Sequence, residues 1–179
     1  MKHRTRDPGK HRESLVKLVR ESGARNVAEV GVYKCLTSLA VLINCDVDKY
    51  YMVDPWRDYW DSGEGEADRG SPRDIDWEHL YKAALEVEMR FTVAEVLRLP
   101  SVEAAEMFRP GELDLAFIDG DHSYEGAKAD IKAWTPIVRE GGILAGHDYY
   151  TRWPGVVRAV DEAFGDLRFM PDTMWWTQL

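Results

Sequence analysis

The sequence lacks several features that would place it at once in a common class of protein. It has only two cysteines in 179 residues, Cys35 and Cys45, too few for a disulfide framework and without the spacing of a metal site. No window approaches about 18 consecutive apolar residues, so we expect no transmembrane helix. The basic start, MKHRTRDPGKHR, has no apolar run behind it, so we expect no signal peptide. These absences favour a reducing, cytoplasmic compartment.

Positive charge is also scarce, because 32 acidic residues against 23 Lys and Arg give a formal net charge of −9. A general nucleic-acid-binding protein is expected to carry a basic surface, so that class loses weight. The basic residues 1–12 are predicted to form a solvated tail, although contact with an anionic partner stays open. No internal repeat is visible, and the length and the 45% hydrophobic content fit one globular domain.

Helical and extended patterns alternate along the chain, about five times, which predicts a parallel sheet covered by helices on both faces. The polar stretch 56–76 shows no period and predicts either a lid over a binding site or a disordered insertion. Predicted helices cover 13–22, 37–43, 77–89, 101–108, 124–139 and 156–164. Predicted strands cover 26–31, 49–54, 91–99, 113–119 and 143–146, with one or two more within 169–179.

Polar residues cluster where four predicted strands end. Ligands of parallel sheets bind outside the carboxyl ends of the strands, so four clusters at four strand ends suggest one shared crevice. The clusters are Glu29 with Gly31, Asp54, the run Asp119-Gly120-Asp121-His122, and His147 with Asp148. Tryptophans in and beside the long loop (Trp56, Trp60 and Trp77) are predicted to form an aromatic wall for a flat substrate or an adenine.

The first two clusters favour an adenosine-type ligand. Gly31 lets the backbone turn sharply after its strand, and the helix behind it offers free N–H groups to an anion. The further glycines of a G-x-G-x-x-G motif are absent, which counts against a pyrophosphate, whereas Thr37 could donate to a ligand carboxylate. Asp54 is placed to accept both hydroxyls of a ribose. An ordinary turn at Gly31 and a turn cap at Asp54 are the alternatives.

The other two clusters favour acid–base or metal chemistry. Asp119 and Asp121 are hard oxygen ligands suited to Mg²⁺, and His122 can act as a general base near neutral pH. Asp119, His147 and Asp148 could converge on one divalent metal. The alternative is a surface turn whose acids cap the next helix, or residues that only hydrogen-bond one another.

Longer runs of the sequence resemble class I S-adenosylmethionine-dependent methyltransferases, over residues 25–165. These runs are AEVGVYKCLTSLAVL, YYMVDPW, SVEAAEMF, LDLAFIDGDHSYEGAKADIKAW, GGILAGHDYY and PGVVRAVDEAF. IDGDHSYE followed by GGILAGHDY is similar to a small family related to catechol-type, macrolide-sugar and cephalosporin-biosynthesis methyltransferases. The resemblance implies an α/β, Rossmann-like three-layer sandwich with a mostly parallel seven-stranded sheet and an antiparallel C-terminal strand.

The resemblance also implies roles for individual residues. Asp119, His147 and Asp148 match the metal ligands of metal-dependent relatives, and His122, with Asp119 the predicted catalytic pair, occupies the place of a proposed general base. Mg²⁺ or another divalent metal is therefore expected beside S-adenosylmethionine. The implied cofactor-binding residues are Glu29, Gly31, Val32, Tyr33, Thr37, Asp54, Pro55, Trp56, Ser101, Asp119 and Gly120.

The sequence departs from that family at two of these places. Cys35 stands where relatives usually carry glycine, which predicts a loop lying slightly farther from the cofactor. His147 stands where metal-binding relatives often carry an acid, which leaves metal dependence open. The leading hypothesis is methyl transfer to a hydroxyl of a small molecule or sugar. A non-catalytic binding module and, given less weight, a nicotinamide-dependent oxidoreductase are the alternatives, and a homo-oligomer is left open.

Overall fold

The computed structural model describes residues 10–57 and 75–179. Most of the predicted tail 1–12, Trp60 and nearly all of the predicted loop 56–76 lie outside the described residues, so those predictions stand as they were made. The architecture of the described residues is the predicted α/β arrangement, with alternating strands and helices around one sheet.

Seven strands form one mixed sheet in the order β3-β2-β1-β4-β5-β7-β6. The first five strands along the chain pair in parallel, and β7 lies antiparallel between β5 and β6. This confirms the predicted mostly parallel sheet with an antiparallel C-terminal strand. The strands are β1 (Asn26–Val30), β2 (Lys49–Val53), β3 (Ala94–Leu97), β4 (Leu113–Ile118), β5 (Val138–Gly146), β6 (Arg168–Phe169) and β7 (Trp175–Gln178).

Helices cover both faces of the sheet, because alternate strand side chains point to opposite sides and both sides are apolar. Apolar residues of α1, α2 and α3 pack in one core cluster, and those of α4, α5 and α6 pack in a second. The longest described helix has 14 residues, and none is long and apolar enough to cross a membrane. The helices are α1 (Lys10–Ser22), α2 (Leu36–Asn44), α3 (Trp77–Arg90), α4 (Ser101–Ala105), α5 (Tyr124–Trp134) and α6 (Pro154–Ala163).

The predicted helix over 124–139 was wrong at its end. The α-helix stops at Trp134, a 3₁₀ turn follows over Thr135–Ile137, and β5 already begins at Val138. Pro136 has no N–H and its ring disfavours a continuing α-helix. Gly141 and Gly142, which lie between the predicted helix and the predicted strand over 143–146, belong to β5, and Gly141 has a φ of 72°.

Two neighbouring predictions were also too long. The strand predicted over 91–99 shrinks to β3, because Phe91 caps the end of α3 and residues 97–99 form a turn. The helix predicted through 108 ends at Ala105. Ser101 does not cap that helix with its side chain, since Pro100 occupies the capping position. Periodicity does not fix the ends of such short elements.

Candidate active site

The polar clusters predicted at the strand ends lie at the carboxyl edge of the sheet, where β1 and β4 are neighbours. Strand order reverses between these two strands, which makes this the switch point of the sheet. The β1 and β4 ends approach closely, since a Cβ added to Gly31 would lie 2.1 Å from the carbonyl oxygen of Asp119. Only glycine fits there, and its φ of 92° also favours glycine.

Four titratable side chains, two aspartates and two histidines, lie together beside the point where the ends of β1 and β4 approach. His122 Nε2 lies 2.7 Å from Asp148 Oδ2 and 3.7 Å from Asp119 Oδ1. His147 Nδ1 lies 3.3 Å from Asp148 Oδ1 and 3.7 Å from Asp119 Oδ1. The predicted catalytic and metal-ligand residues therefore form one cluster, here called the Asp–His cluster (Asp119, His122, His147 and Asp148).

The histidines and acids of the Asp–His cluster stabilise one another's charged forms. Burial opposes charge on His122, but hydrogen bonds and charges of Asp119 and Asp148 raise its pKa to about 10. The same acids raise the pKa of His147 to about 11 against its burial. In return the two histidines lower the pKa values of Asp119 and Asp148, although burial alone would raise them.

His147 is fixed from behind by the segment that leads into β7. Its Nε2 lies 3.0 Å from the carbonyl oxygen of Asp172 and 3.2 Å from the hydroxyl of Thr173. Both residues are buried, and Thr173 has a φ of 77°. These bonds turn Nδ1 toward the acids, as an outer partner does for a metal-binding histidine. Sequence reasoning missed Asp172 and Thr173, because no motif marks them.

Sequence reasoning also missed Trp153, which follows the HDYY run after β5. Its indole stacks on the imidazole of His122, with ring centroids 4.6 Å apart and planes 28° apart. Gly155 allows this approach, since a Cβ there would lie 2.5 Å from the backbone nitrogen of Tyr124. The indole Nε1 of Trp153 is buried, and no atom of the described residues is its hydrogen-bond partner. The position of a tryptophan before a predicted helix does not indicate from the sequence that it stacks on a histidine.

The donor set of the Asp–His cluster fits a divalent cation. Carboxylate oxygens suit Mg²⁺ or Mn²⁺, and imidazole suits Mn²⁺ or Fe²⁺. Ligand atoms of Asp119, His122 and Asp148 lie within 4.8 Å of one another. A cavity of about 20 Å³ also adjoins Asp119, His122 and His147, enough for one water-sized group. The predicted ligand His147 stays a prediction, and His122 joins it as a candidate.

Glu29, predicted to line the cofactor site, is 1% exposed and faces the α1–α3 side of the sheet. Its Oε2 accepts hydrogen bonds from the hydroxyls of Ser38 and Tyr50. Burial raises its pKa to about 8, although both hydrogen bonds act in the other direction. Thr37 is buried in the first turn of α2. Their predicted cofactor contacts stay predictions.

Asp54 follows β2 and turns its carboxylate toward the loop between β1 and α2. Its Oδ2 accepts hydrogen bonds from the backbone N–H groups of Val32 (3.0 Å) and Tyr33 (2.9 Å). Its Oδ1 accepts from the backbone N–H of Trp56 at 2.7 Å. Burial raises the pKa of Asp54, and these three backbone bonds oppose that shift. Pro55 between them is buried.

In the loop between β1 and α2, two residues other than glycine adopt the left-handed backbone conformation. Tyr33 and Cys35 have φ angles of 52° and 58°, in the left-handed region that favours glycine. Cys35 is buried in the core, where burial raises its thiol pKa to about 12. Trp56 is fully buried, has a φ of 41° and donates its Nε1–H to the carbonyl oxygen of Tyr33 at 3.2 Å.

The predicted aromatic wall is wrong for Trp56, which is fully buried in the core and offers no face to a ligand. Trp56 packs on Tyr81 with ring centroids 5.6 Å apart, and Trp77 meets Tyr33 edge to face at 6.1 Å. The guanidinium of Arg98 lies 4.1 Å from the ring centroid of Tyr81. Trp56 therefore supports the loop from within the core, whereas Trp77 lies beside Tyr33 at its surface.

Ser101, predicted to lie near an adenine, turns its hydroxyl into the protein. Its Oγ accepts the indole N–H of Trp134 at 2.9 Å and is hydrogen-bonded to Asp130. Burial raises the pKa of Asp130 to about 7. Gly120 lies beside this group, since a Cβ there would lie 3.3 Å from Asp130 Oδ2. Asp121 accepts the backbone N–H of Ser123, the residue that caps α5 with its own hydroxyl.

Comparisons with known proteins agree with this geometry. A family model described as a methyltransferase domain matches residues 28–149, more than half of the chain. An uncharacterized protein of Acanthamoeba polyphaga mimivirus is 36% identical over 61 residues. That match spans 33% of this chain and 28% of the viral protein, so the chain covers about a quarter of that relative.

Similar solved structures share the fold at low identity. A caffeoyl-CoA O-methyltransferase structure from Staphylococcus aureus has a TM-score of 0.66 at 12% identity, over 97% of this chain and 85% of that one. A methyltransferase from Geobacter sulfurreducens has a TM-score of 0.66 at 13% identity, over 97% and 80%. An O-methyltransferase from Bacillus cereus in complex with SAH has a TM-score of 0.59 at 15% identity, over 97% and 82%.

Proposed function

The chain belongs to the methyltransferase domain family, and from this premise we propose that it transfers a methyl group from S-adenosylmethionine to a hydroxyl oxygen of a small molecule or sugar. The observation that carries the proposal is the Asp–His cluster beside the Gly31 loop, at the switch point of the sheet. The Bacillus cereus O-methyltransferase solved with SAH, S-adenosylhomocysteine, supports the choice of cofactor.

Methyl transfer is an in-line displacement at a sulfonium carbon, so the protein mainly has to position two partners. The Gly31 loop and Asp54 would hold the cofactor at the ends of β1 and β2. The other proposed cofactor contacts come from Glu29, Val32, Tyr33, Thr37, Pro55, Trp56, Ser101, Asp119 and Gly120. Because Glu29 and the Ser101 hydroxyl are engaged within the protein, contacts there would come from the backbone or through water.

An alcohol or phenol must lose its proton as it attacks, which gives the Asp–His cluster its role. His122 would take that proton in its neutral form, which a metal held by Asp119 and Asp148 would favour, because the ion would take up the two carboxylates that keep the ring protonated. Asp119 lies within 3.7 Å of both histidines and ties the two together. Trp153 closes one face of the His122 ring, so an acceptor must approach from elsewhere.

Asp119 and Asp148, with His122 or His147, would hold a divalent metal. When bound, such an ion would lower the pKa of the acceptor hydroxyl and supply the positive charge that the two imidazolium rings otherwise provide. The proposal that this site is metal-dependent rests on the donor set and on the adjoining cavity, which has room for one water-sized group.

Calorimetric titration of the purified protein with S-adenosylmethionine and S-adenosylhomocysteine, with and without Mg²⁺, tests the proposal. We expect one-to-one binding of both compounds and none of NAD, which serves as the control. A screen of hydroxyl acceptors for methyl transfer would then name the substrate. A folded protein that binds neither compound would overturn the proposed function.

A further inference from the structure

The three hydrogen bonds that Asp54 accepts limit how many ribose hydroxyls of a cofactor it can also bind. A carboxylate offers about four lone-pair sites, two on each oxygen. On Asp54 both sites of Oδ2 are taken by Val32 and Tyr33, and one site of Oδ1 is taken by Trp56. Counting the bonds from residues 10–57 and 75–179, one site, on Oδ1, remains, and Asp54 is 8% exposed. This count does not allow the same carboxylate to accept both hydroxyls of a ribose while it holds the loop.

We propose that Asp54 and Trp56 form a clamp that sets the path of the β1–α2 loop before any cofactor binds, and that Asp54 accepts one ribose hydroxyl rather than two. The second clause rests on the proposed function, whereas the first does not. Asp54 is thus a positioning residue for the loop and has a single direct contact with the ligand.

Both sides of the clamp act on the same short segment of backbone. Asp54 binds the N–H groups of Val32 and Tyr33, and the indole N–H of Trp56 binds the carbonyl oxygen of Tyr33. The peptide groups on either side of Tyr33 are therefore fixed from the end of β2. That fixation counters the cost of holding Tyr33 and Cys35 at φ angles of 52° and 58°, which glycine would adopt more easily.

The clamp is buried, so water does not replace a hydrogen bond that is lost there. Trp56 is fully buried and packs on Tyr81, so its indole has no water to replace a lost partner. Asp54 is nearly as buried, and an ionised carboxylate there requires the three N–H groups to stay charged. Loss of the clamp should therefore release the loop while leaving the sheet intact.

Hydrogen exchange of the cofactor-free protein tests the clamp directly. In Asp54→Asn, the Val32 and Tyr33 amides should exchange at least about tenfold faster than in the wild type, because at least one carboxylate acceptor is lost. Amides of β1 and β4 should keep their protection. Unchanged exchange at Val32 and Tyr33 would overturn the clamp, and so would an equal rise across the sheet, which indicates general destabilisation.

Asp114→Asn is the matched control. Asp114 Oδ2 accepts the backbone N–H groups of Arg25 and Asn26 at the other end of β1. Its substitution should speed exchange at those two amides and leave residues 31–35 and the affinity for S-adenosylhomocysteine unchanged. Should Asp54→Asn fail to fold, Trp56→Phe removes only the bond to Tyr33 and should release the same segment.

Affinities for deoxy analogues of S-adenosylhomocysteine test the single ribose contact. One analogue lacks the 2′-hydroxyl and the other lacks the 3′-hydroxyl. The affinity for each should be measured with the wild type and with Asp54→Asn. For one analogue the wild type should lose roughly tenfold or more in affinity, and that loss should disappear in Asp54→Asn. Two losses that both disappear would overturn the single contact. If the wild type binds no S-adenosylhomocysteine, the proposed function fails, and the exchange data still decide the clamp.

Discussion

The imidazole of His122 lies flat against the indole of Trp153, 4.6 Å between ring centroids, while its Nε2 points to Asp148 at 2.7 Å. The ring is therefore held on one face and at one edge by two residues of the same loop, which joins β5 to α6. Trp153 comes from the start of α6, and its backbone is pressed against residues 122–124 through Gly155. Such packing limits rotation of the imidazole, which a group that accepts a proton from a bound substrate requires.

Substitution of Trp153 should therefore affect turnover more than cofactor binding. Trp153→Leu is expected to lower the methyl-transfer rate by roughly 10–100-fold, because the His122 ring is no longer fixed. Trp153→Phe keeps a stacking face and should retain most of the rate. Turnover with an identified acceptor, together with calorimetry of S-adenosylhomocysteine, measures both effects. Equal rates for the Leu and Phe variants would contradict a positioning role for the ring.

Metal binding should depend on the two aspartates of the Asp–His cluster. Titration with Mn²⁺, followed by electron paramagnetic resonance, should give one site in the wild type. Asp148→Asn should weaken binding by more than about 100-fold, since loss of a ligand exceeds the roughly 10–100-fold effect of outer-shell changes. Asp121→Asn is the control, because the Asp121 carboxylate accepts the backbone N–H of Ser123 instead. Equal affinity in both variants would place the ion elsewhere.

Gly31→Ala should disrupt both the fold and the site. The added Cβ would lie 2.1 Å from the Asp119 carbonyl oxygen, so the backbone of β1 or β4 must move. A loss of about 3 kcal/mol or more in the free energy of unfolding is expected. Urea denaturation measures it, with Gly165→Ala as the control, since a Cβ at Gly165 meets no atom within 4 Å. Similar losses at both glycines would refute the close approach.

The buried Glu29 predicts a dependence of stability on pH. Its pKa rises from 4.5 to about 8 in the folded protein, so the folded state keeps a proton that the unfolded state has lost. The free energy of unfolding should therefore fall as the pH rises from about 4.5 to about 8 and then level off, by a total on the order of 4 kcal/mol.

Glu29→Gln should remove this part of the pH dependence. The amide resembles the protonated acid and can still accept from Ser38 and Tyr50. Urea denaturation at pH 5 and pH 8 should show a smaller drop in the variant than in the wild type. The exposed Glu140 supplies the control Glu140→Gln, which should keep the wild-type drop. An unchanged drop in Glu29→Gln would show that Glu29 is ionised when buried.

The fold was predictable because strand and helix periods repeat along the chain, and the strand ends carry their polar residues in fixed places. Asp119, His122, His147 and Asp148 follow two strands that pair directly, so their convergence follows from a parallel sheet. Trp153, Asp172 and Thr173 were not predictable, since their contacts depend on how α6 and β7 pack against loops far away in sequence. The backbone bonds of Asp54 were equally hidden, because an acid after a strand looks the same whether it binds a ligand or a neighbouring loop.

The antiparallel insertion of β7 between β5 and β6 also sets an order of assembly during synthesis. His147 leaves the ribosome about 25 residues before the carbonyl of Asp172 and the hydroxyl of Thr173 that fix its ring, and domains begin to fold while the chain is still growing. A nascent chain can therefore pair β1 to β5 while the two acids and His147 still lack their final arrangement. The proposed acid–base role of this site therefore requires β7 to be in place, because the residues just before it fix the ring of His147.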